Sequence, residues 1–546
     1  MFNFLKKLFY KTDKSNGIQY KNIETVINES FNNSASNTTA NKKLTPSMDI
    51  EKNKRYITTI FQKCADIMYR ELNIASNPNY KTVCIYIANM IPTELMEDVV
   101  LKKLTQPVQN SEVFKDIKAY CMSIFGIAED DILDDMNKIV DAIVEGELVL
   151  FINGINKAFT VDMKKPPSRA VDIPPTESVL RGPREGFTES HGTNICLVRK
   201  KIKSPNLKTE GFKIGKETKT NITMMYMSNI ANEKIVSELR DRLNKIKVDS
   251  VLGASYIEEY IEDSPFSLFP TIFRTEKPDV AAGKILEGRI IIFVDTIPVA
   301  LSVPSIFGEY FMSPDDYYLR FYVATLNRWV RMLAFALSLA LPGAFVSLIT
   351  YHQELLPTSL IISVIRSRAN IPFPPMFEAL FMLTTYLVLQ EADVRMPKTM
   401  GQSVSIVGGL VLGQAAINAG IVSAHMIIVV AFSAVASLAV PTVEFQLPLS
   451  YARVALLILG GFGGMVGLTC GLIAIIMHLL SLRSFGVPFL APVGPLKPNE
   501  LKDIFIRAPL WSLKKLPKTI TWKDSYRRKG RPATNPITQE NKEQQS

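Results

Sequence analysis

Acid and base are missing from the stretch Thr399 to Val443, where 45 consecutive residues include no Asp, Glu, Lys or Arg. A bilayer core takes about 20 apolar residues to span. The run is too long for one crossing and too apolar for a soluble helix, so it predicts two membrane segments or a buried helical hairpin. Two more uncharged stretches flank it: Met332–Tyr351, and Val454–Leu482, which only His478 interrupts. Histidine is scarce. The four present (His191, His352, His425, His478) are too dispersed to suggest a metal cluster. The five cysteines (Cys64, Cys84, Cys121, Cys196, Cys470) form no CxxC pair and support neither a disulfide framework nor a zinc site. No GxSxG, HExxH or dinucleotide fingerprint occurs, and GFKIGKET from Gly211 has its glycines one residue too close for a phosphate loop. The sequence thus argues against an enzyme, and no cofactor or metal is expected.

An apolar leader is also missing. The start, MFNFLKKLFYK, is broken by Lys6 and Lys7 and lacks a signal-peptide core, so the large N-terminal region is expected to stay in the cytosol. The net charge of +10 is unevenly placed: after Leu482 there are thirteen Lys or Arg against five acids. That is the cytoplasmic-flank bias of membrane proteins and suits anionic lipid headgroups; no nucleic-acid partner is expected.

What is present divides the chain. Residues 1–48 are a polar tail rich in Asn, Ser, Thr and Lys. Two α/β subdomains follow, 49–165 and 190–312, joined by a Pro-rich linker, 166–189. They read as a diverged repeat: KTVCIYIANMIPTELMEDVVLKKL from Lys81 aligns with KTNITMMYMSNIANEKIVSELRDRL from Lys219, and EGELVLFINGINKAFTVD from Glu145 with EGRIIIFVDTIPVALSV from Glu287. Each second pair predicts two strands around a tight turn, at Asn153-Gly154 and Asp295-Thr296. Residues 313–486 read as a lead-in helix and an all-α polytopic transmembrane domain, with four full crossings plus a partial one. Residues 487–546 read as a basic cytosolic tail. Ser313, Pro314 and Asp316 predict the start of a helix that runs unbroken to Pro342, with a kink and candidate hinge at Pro342-Gly343.

Polar groups at membrane depth are costly and mark candidate sites. Glu378 follows PFPP at the start of a helix, where it either complements the helix dipole or attracts cations. Gln402, Gln414 and Asn418 join it as candidate pore or gating residues. In the last span Gly460, Gly464, Gly467 and Gly471 form small-xxx-small ridges, for packing inside the subunit or between subunits.

Several segments resemble the A-subunit family of bacterial spore germinant receptors. They include PPTESVLRGPREGFTES from Pro174, VRKKIKSPNLK from Val198, YIEEYIEDSPFSLFPTI from Tyr256 and SPDDYY from Ser313. In the apolar half they include HQELLPTSL, IPFPPMFEALF, EADVRMPKTMGQSVSIVGGLVLGQAAINAGIVSAHMIIVV and SLRSFGVPFLAPV. The resemblance implies a subunit in the inner membrane of dormant spores, with a cytosolic N-terminal domain of two similar α/β halves. It implies assembly with a transporter-like B subunit and a lipoprotein C subunit, and self-association into a homo-oligomer with a ligand-gated path for monovalent cations. It also makes Arg181, Arg184, Glu185, Arg199, Lys200 and Lys201 candidate inter-subunit or inter-domain contacts. Open beside this stand an accessory ion-channel subunit of the dipicolinate-release apparatus, a secondary transporter and a non-conducting scaffold.

Overall fold

Two antiparallel sheets with one strand order build the first part of the molecule. β1 (Ile67–Asn73), β2 (Lys81–Ile87), β3 (Ile132–Leu133), β4 (Leu148–Ile152) and β5 (Ala158–Val161) are ordered β1-β2-β4-β5-β3. β6 (Leu207–Ile214), β7 (Thr220–Met227), β8 (Phe273–Thr275), β9 (Ile290–Val294) and β10 (Ala300–Val303) repeat it as β6-β7-β9-β10-β8. The sequence repeat is therefore a repeat of topology, with Cys84 facing Leu150 in one sheet and Met224 facing Ile292 in the other. This computed structural model describes residues 44–74, 80–105, 122, 125, 128–164, 174, 177, 179, 181–395, 413–498, 500–513 and 516–521.

Burial follows the pleat. In β4, Val149 and Phe151 join one apolar cluster while Leu148, Leu150 and Ile152 join the cluster on the opposite face, as a period of two requires. Helices cover these faces: α1 (Ile50–Ile60) and α2 (Met136–Glu145) in the first half, then α3 (His191–Lys201), α4 (Glu233–Lys245), α5 (Ala254–Ile261) and α6 (Pro278–Leu286) in the second. Local chemistry sets their ends. Asp49, Asp135 and Asn232 cap α1, α2 and α4 by accepting a backbone N–H, and Gly146, at φ 92°, ends α2. Both expected hairpin turns form, through Gly154 at φ 86° and Thr296 at φ 67°; Thr296 N–H donates to the Asp295 side chain at 3.0 Å.

The expected helix from Ser313 is shorter than its sequence suggests. The Asp316 carboxylate accepts from Ser313 N at 3.3 Å, but this closes only a 3-10 turn, Pro314–Tyr317. The helix proper, α7 (Phe321–Tyr351), starts after it, because Asp316 is bound back onto Arg328 and Arg331 of α7 itself. Its 31 residues span roughly 46 Å at 1.5 Å each. α7 passes through Pro342 and continues to Tyr351. The carbonyl that a proline leaves without a helical partner is that of Ser338, and it accepts a hydrogen bond from Ser433 Oγ at 2.8 Å. After α7 come α8 (Thr358–Arg368), α9 (Pro375–Arg395), a helical turn at 413–418 and α10 (Ala424–Leu438).

The last apolar segment departs most from its sequence reading. Phe321–Tyr351 and Val443–Ser481 are both long and apolar enough to cross a membrane. Within α11 (Gln446–Ser481), however, Gly464 adopts φ 59°, ψ −149° and the chain reverses. The Cβ position of Gly467 meets the Leu459 carbonyl, and that of Gly471 meets the Leu456 and Leu459 side chains. One straight helix would hold those residues more than two turns apart. The expected single span over 454–482 is thus a helical hairpin with arms 446–463 and 465–481, each about 26 Å long. Both its ends lie beside the second half, where Phe445, Leu449, Leu479 and Leu482 share a buried cluster with Phe269, Phe273 and Tyr310.

The described part of the expected basic tail is packed as well. β11 (Arg483–Ser484) pairs with β12 (Val487–Pro488), Phe489 is fully buried, and Phe307 N–H donates to its carbonyl at 2.7 Å. Gly464→Ala is expected to lower the thermal midpoint of the full chain in nanodiscs, because an L-residue in that conformation costs roughly 1–3 kcal/mol. A methyl there also stands 3.2 Å from His352 Nε2. Gly463→Ala, where nothing lies within 4 Å, should leave the midpoint unchanged.

Candidate functional site

Charges buried at three successive joints connect the α/β halves to the helical bundle. The first joint lies between the halves. Residues 63–65 run along β6, with Ala65 N–H donating to Thr209 O at 2.8 Å and Thr209 N–H to Lys63 O at 3.0 Å. Beside this bridge Arg199 of α3, with no exposed surface, grips Asp66 through Nε at 2.7 Å and Nη2 at 3.0 Å. Thr209 Oγ1 also donates to Asp66. The basic segment that holds Arg199 reaches across twice more: Lys208 donates to Ile60 O at 2.7 Å, and Lys203 lies 3.5 Å from Glu145. A cavity of about 530 Å³ opens next to the joint, lined by Asp66, Asn89, His191, Thr209 and Thr223 among others. Burial pulls the His191 imidazole below its ordinary value, and it shares a hydrogen bond with Thr223 Oγ1 at 2.7 Å.

The second joint is where the second half meets α7. Asp316 and Arg328 are both fully buried and paired at 2.9 Å, and Arg331 adds a second guanidinium at 2.9 Å. Arg328 also donates to the carbonyl of Asp503, and Trp329 Nε1 to that of Phe505 at 3.0 Å. The C-terminal segment is thereby tied to the first turns of α7.

The third joint is inside the bundle. Arg453, on the first hairpin arm, is 1% exposed and has no carboxylate partner among the described residues. Its Nη2 donates to Ser338 Oγ of α7 at 2.6 Å, its guanidinium lies 6.0 Å from the Tyr386 ring centre of α9, and its Nε is left without an acceptor. Through Ser338 it touches the node that Ser433 of α10 completes. One charge therefore bears on four helices, in surroundings where an ionised group is expensive.

At the end of the bundle far from the α/β halves, Glu378 is 1% exposed and fully engaged. Arg368 Nε donates to it at 3.0 Å, and Ser423 gives it both N–H, at 3.1 Å, and Oγ, at 2.9 Å. Its carboxylate ties the start of α9 to the cap of α10. Gln414 and Asn418 bond one another at 3.1 Å and are both exposed, and Gln402 lies outside the described residues. Gly460 receives Ser347, which donates to its carbonyl at 3.1 Å. A methyl on Gly343 would stand 2.9 Å from the Leu456 carbonyl. Gly464 is the reversal itself and Gly467 and Gly471 face the opposite arm, so the four glycines do not form one ridge. Of the linker and basic residues, Arg199 bridges the halves, Glu185 pairs with Lys200 at 3.3 Å and Lys201 at 3.0 Å, Arg181 N–H donates to Asp315 at 3.2 Å, and Arg184 is exposed.

Sequence reasoning missed Arg453, Asp66 and Glu177. Arg453 stands one residue before the uncharged stretch and reads as its flank; the apolar run on both sides of it was the available signal. Asp66 carries no local signal, since its partner is 133 residues away. Glu177 belongs to the linker motif. Its carboxylate accepts from Thr275 Oγ1 at 2.7 Å and Glu276 N at 3.0 Å, and burial pushes it up to about 7, with Glu276 and Glu444 adding to the rise.

Residues 55–519 match the family described as Bacillus/Clostridium GerA spore germination protein. The chain is 38% identical over 482 residues to the uncharacterized membrane protein YfkQ of Bacillus subtilis (strain 168), covering 87% of this chain and 92% of that one. It is 38% identical over 465 residues to spore germination protein KA of the same organism, covering 85% of each. The crystal structure of the N-terminal domain of the A subunit of the Bacillus megaterium spore germinant receptor GerK3 aligns at 32% identity and TM-score 0.38, covering 49% of this chain and 98% of that one.

Two predictions follow from these joints. Arg199→Met strands a buried carboxylate and is expected to cost about 3–5 kcal/mol of stability; adding Asp66→Leu should restore most of the lost thermal midpoint. For Glu177 the folded value lies above the ordinary 4.5. Between about 4.5 and 7 the unfolded chain therefore binds fewer protons than the folded one, and stability falls as pH rises through that window. Thermal midpoints taken across it should decline less steeply in Glu177→Gln than in the parent chain.

Proposed function

Because the chain belongs to the GerA family of spore germination proteins, we propose that it is the membrane-embedded A-type subunit of a germinant receptor. Its task is to convert nutrient recognition into release of monovalent cations, which begins germination. The observation that carries this reading is the match over residues 55–519, which takes in both α/β halves, α7 and the hairpin. The buried joints support a coupling role. A change in the angle between the halves pulls on Asp66–Arg199, and movement of the second half is delivered to α7 through Asp316, since that carboxylate cannot slide without stranding two guanidiniums.

The receptor complex in this reading contains a transporter-like B subunit and a lipoprotein C subunit in the inner spore membrane, with the α/β halves and C-terminal segment on the cytosolic side. The chain self-associates to form the ion path. Arg453 places a positive charge in the packed interior of one bundle, which disfavours cations there. The path therefore runs between copies, where Gln414 and Asn418 present polar groups on an exposed face. Glu378 holds the distal end of α9 against α10 rather than facing the ions. The large apolar side chains exposed on α9, α10 and the hairpin, such as Phe381, Phe432 and Phe462, face lipid or neighbouring subunits.

Spores lacking this chain, challenged with a panel of single nutrients, are expected to lose potassium and dipicolinate release for one nutrient class and keep it for the others. A uniform slowing across all nutrients would instead assign an accessory ion-channel role, and an unchanged response would remove the receptor reading. Asn418→Leu should alter the rate of ion release at an unchanged protein level, whereas Glu378→Gln should lower the protein level itself.

A further inference from the structure

The motif YIEEYIEDSPFSLFPTI, from Tyr256, takes no part in the buried charge joints. It forms α5 and then a closed loop. At the root of the loop Thr271 donates to Glu262 through N–H at 3.0 Å and through Oγ1 at 2.6 Å, and Asp263 pairs with Arg242 of α4 at 2.6 Å. At the tip Ser267 N–H donates to Ser264 O at 3.0 Å across Pro265-Phe266, which makes a tight turn. Held at both root and tip, the loop nevertheless leaves Phe266 fully exposed, with Pro265 and Leu268 exposed beside it. Contiguous apolar exposure on a fixed turn marks a contact surface.

Two hydrogen bonds fix where the tip stands. Ser484, just past the end of α11, donates through Oγ to Thr271 O at 2.7 Å, so the root is level with the end of the last apolar arm. Ser267 Oγ lies 3.0 Å from His478 Nε2, and Phe269 packs on the rings of His478 and Phe445 at 6.2 and 5.5 Å. His478 is three residues, about 4.5 Å, inside the helix end at Ser481. The loop therefore climbs along the arm. At its tip the exposed residues of α11 are Met477 and Leu480, and the next charged residue in the chain is Arg483. Met477 and Leu480 belong to a segment long and apolar enough to cross a membrane, and the lipid that covers them continues over Phe266.

We propose that the turn 264–268 of the second α/β half dips into the bilayer beside α11, with Phe266 and Leu268 among the acyl chains at the headgroup boundary. The chemistry of the tip suits that partner. Pro265 has no N–H, Ser267 N–H closes the turn, and Phe269 N–H donates to Ser267 Oγ at 3.1 Å. Hydrocarbon offers no group that could satisfy them instead. On α5, leading into the loop, Tyr256 and Tyr260 stand exposed one turn apart, and tyrosine is enriched at membrane–water interfaces. The second half is then attached to the membrane through this loop as well as through α7, so tilting it against the bundle withdraws Phe266 from lipid. The proposal rests on the apolar helices lying in a bilayer and not on the receptor reading.

The test places the photoreactive residue p-benzoyl-phenylalanine at one position at a time in the full chain, in nanodiscs of phosphatidylcholine and phosphatidylglycerol, and reads the adducts by mass spectrometry. Position 266 is expected to give lipid adducts on the scale of those from position 477. It should exceed position 48, an exposed methionine of the first half, by at least about tenfold, because the headgroup boundary is only about 5–10 Å deep. Adducts from position 266 to a second copy of the chain without lipid, or none there while position 477 labels, would each overturn the proposal. Phe266→Trp gives an independent reading. Its added emission over the parent chain should be quenched by lipids brominated near the headgroup end of the acyl chain and little by iodide in the buffer; the reverse order would overturn the proposal. Phe266 is fully exposed in the protein, so neither replacement disturbs packing. Spore germination plays no part in these readouts, so a failure here leaves the receptor reading standing.

Discussion

Asp316 is the residue on which the junction of the two parts depends. Its carboxylate has no exposed surface and holds two guanidiniums, Arg328 and Arg331, on successive turns of α7. An ion pair removed from water is stable only as a complete set, so the turn at Pro314–Tyr317, the first turns of α7 and the carbonyl of Asp503 must stay together. The second sheet sits above this cluster and the bundle hangs from α7 below it. The same carboxylate also closes the 3-10 turn by accepting from Ser313 N, and α7 begins after that turn, at Phe321.

Deeper in the bundle a second logic holds, that of close approach. Pro342 frees the Ser338 carbonyl and Ser433 fills it; Gly343 and Gly460 then let α7 come against the first hairpin arm where any larger side chain would meet a carbonyl. Small residues and serines do the work here because lipid gives apolar side chains little reason to associate, leaving packing and hydrogen bonds to hold helices together. Arg453 stands out against this background as a full charge with, among the described residues, one hydroxyl and a ring for company.

Much of the architecture was legible in the residues. The two matches 138 and 142 residues apart foretold two sheets of one topology, and the turns at Asn153-Gly154 and Asp295-Thr296 fell where they were expected, because alternation and turn chemistry are local. The candidate residues fared less evenly. Glu378 was visible as a carboxylate at a helix start, but its partners Arg368 and Ser423 come from other elements. The glycines of the last span were read as ridges of one continuous helix because spacing alone assumes one, and spacing is blind to a backbone reversal at Gly464.

Composition and periodicity by themselves determined which segments are apolar, where the strands of the repeat lie and that the chain has a doubled α/β part followed by a helical membrane part, while the family resemblance rested on motifs such as PPTESVLRGPREGFTES and SPDDYY. Those properties reside in neighbouring residues, through burial preference and backbone sterics. Only the tertiary structure decided that the last segment folds back at Gly464, that Arg453 faces inward without a counter-charge among the described residues, and that Asp66 meets Arg199 from 133 residues away. A buried charge is stabilised by whatever reaches it in space, and no local rule reports what that will be.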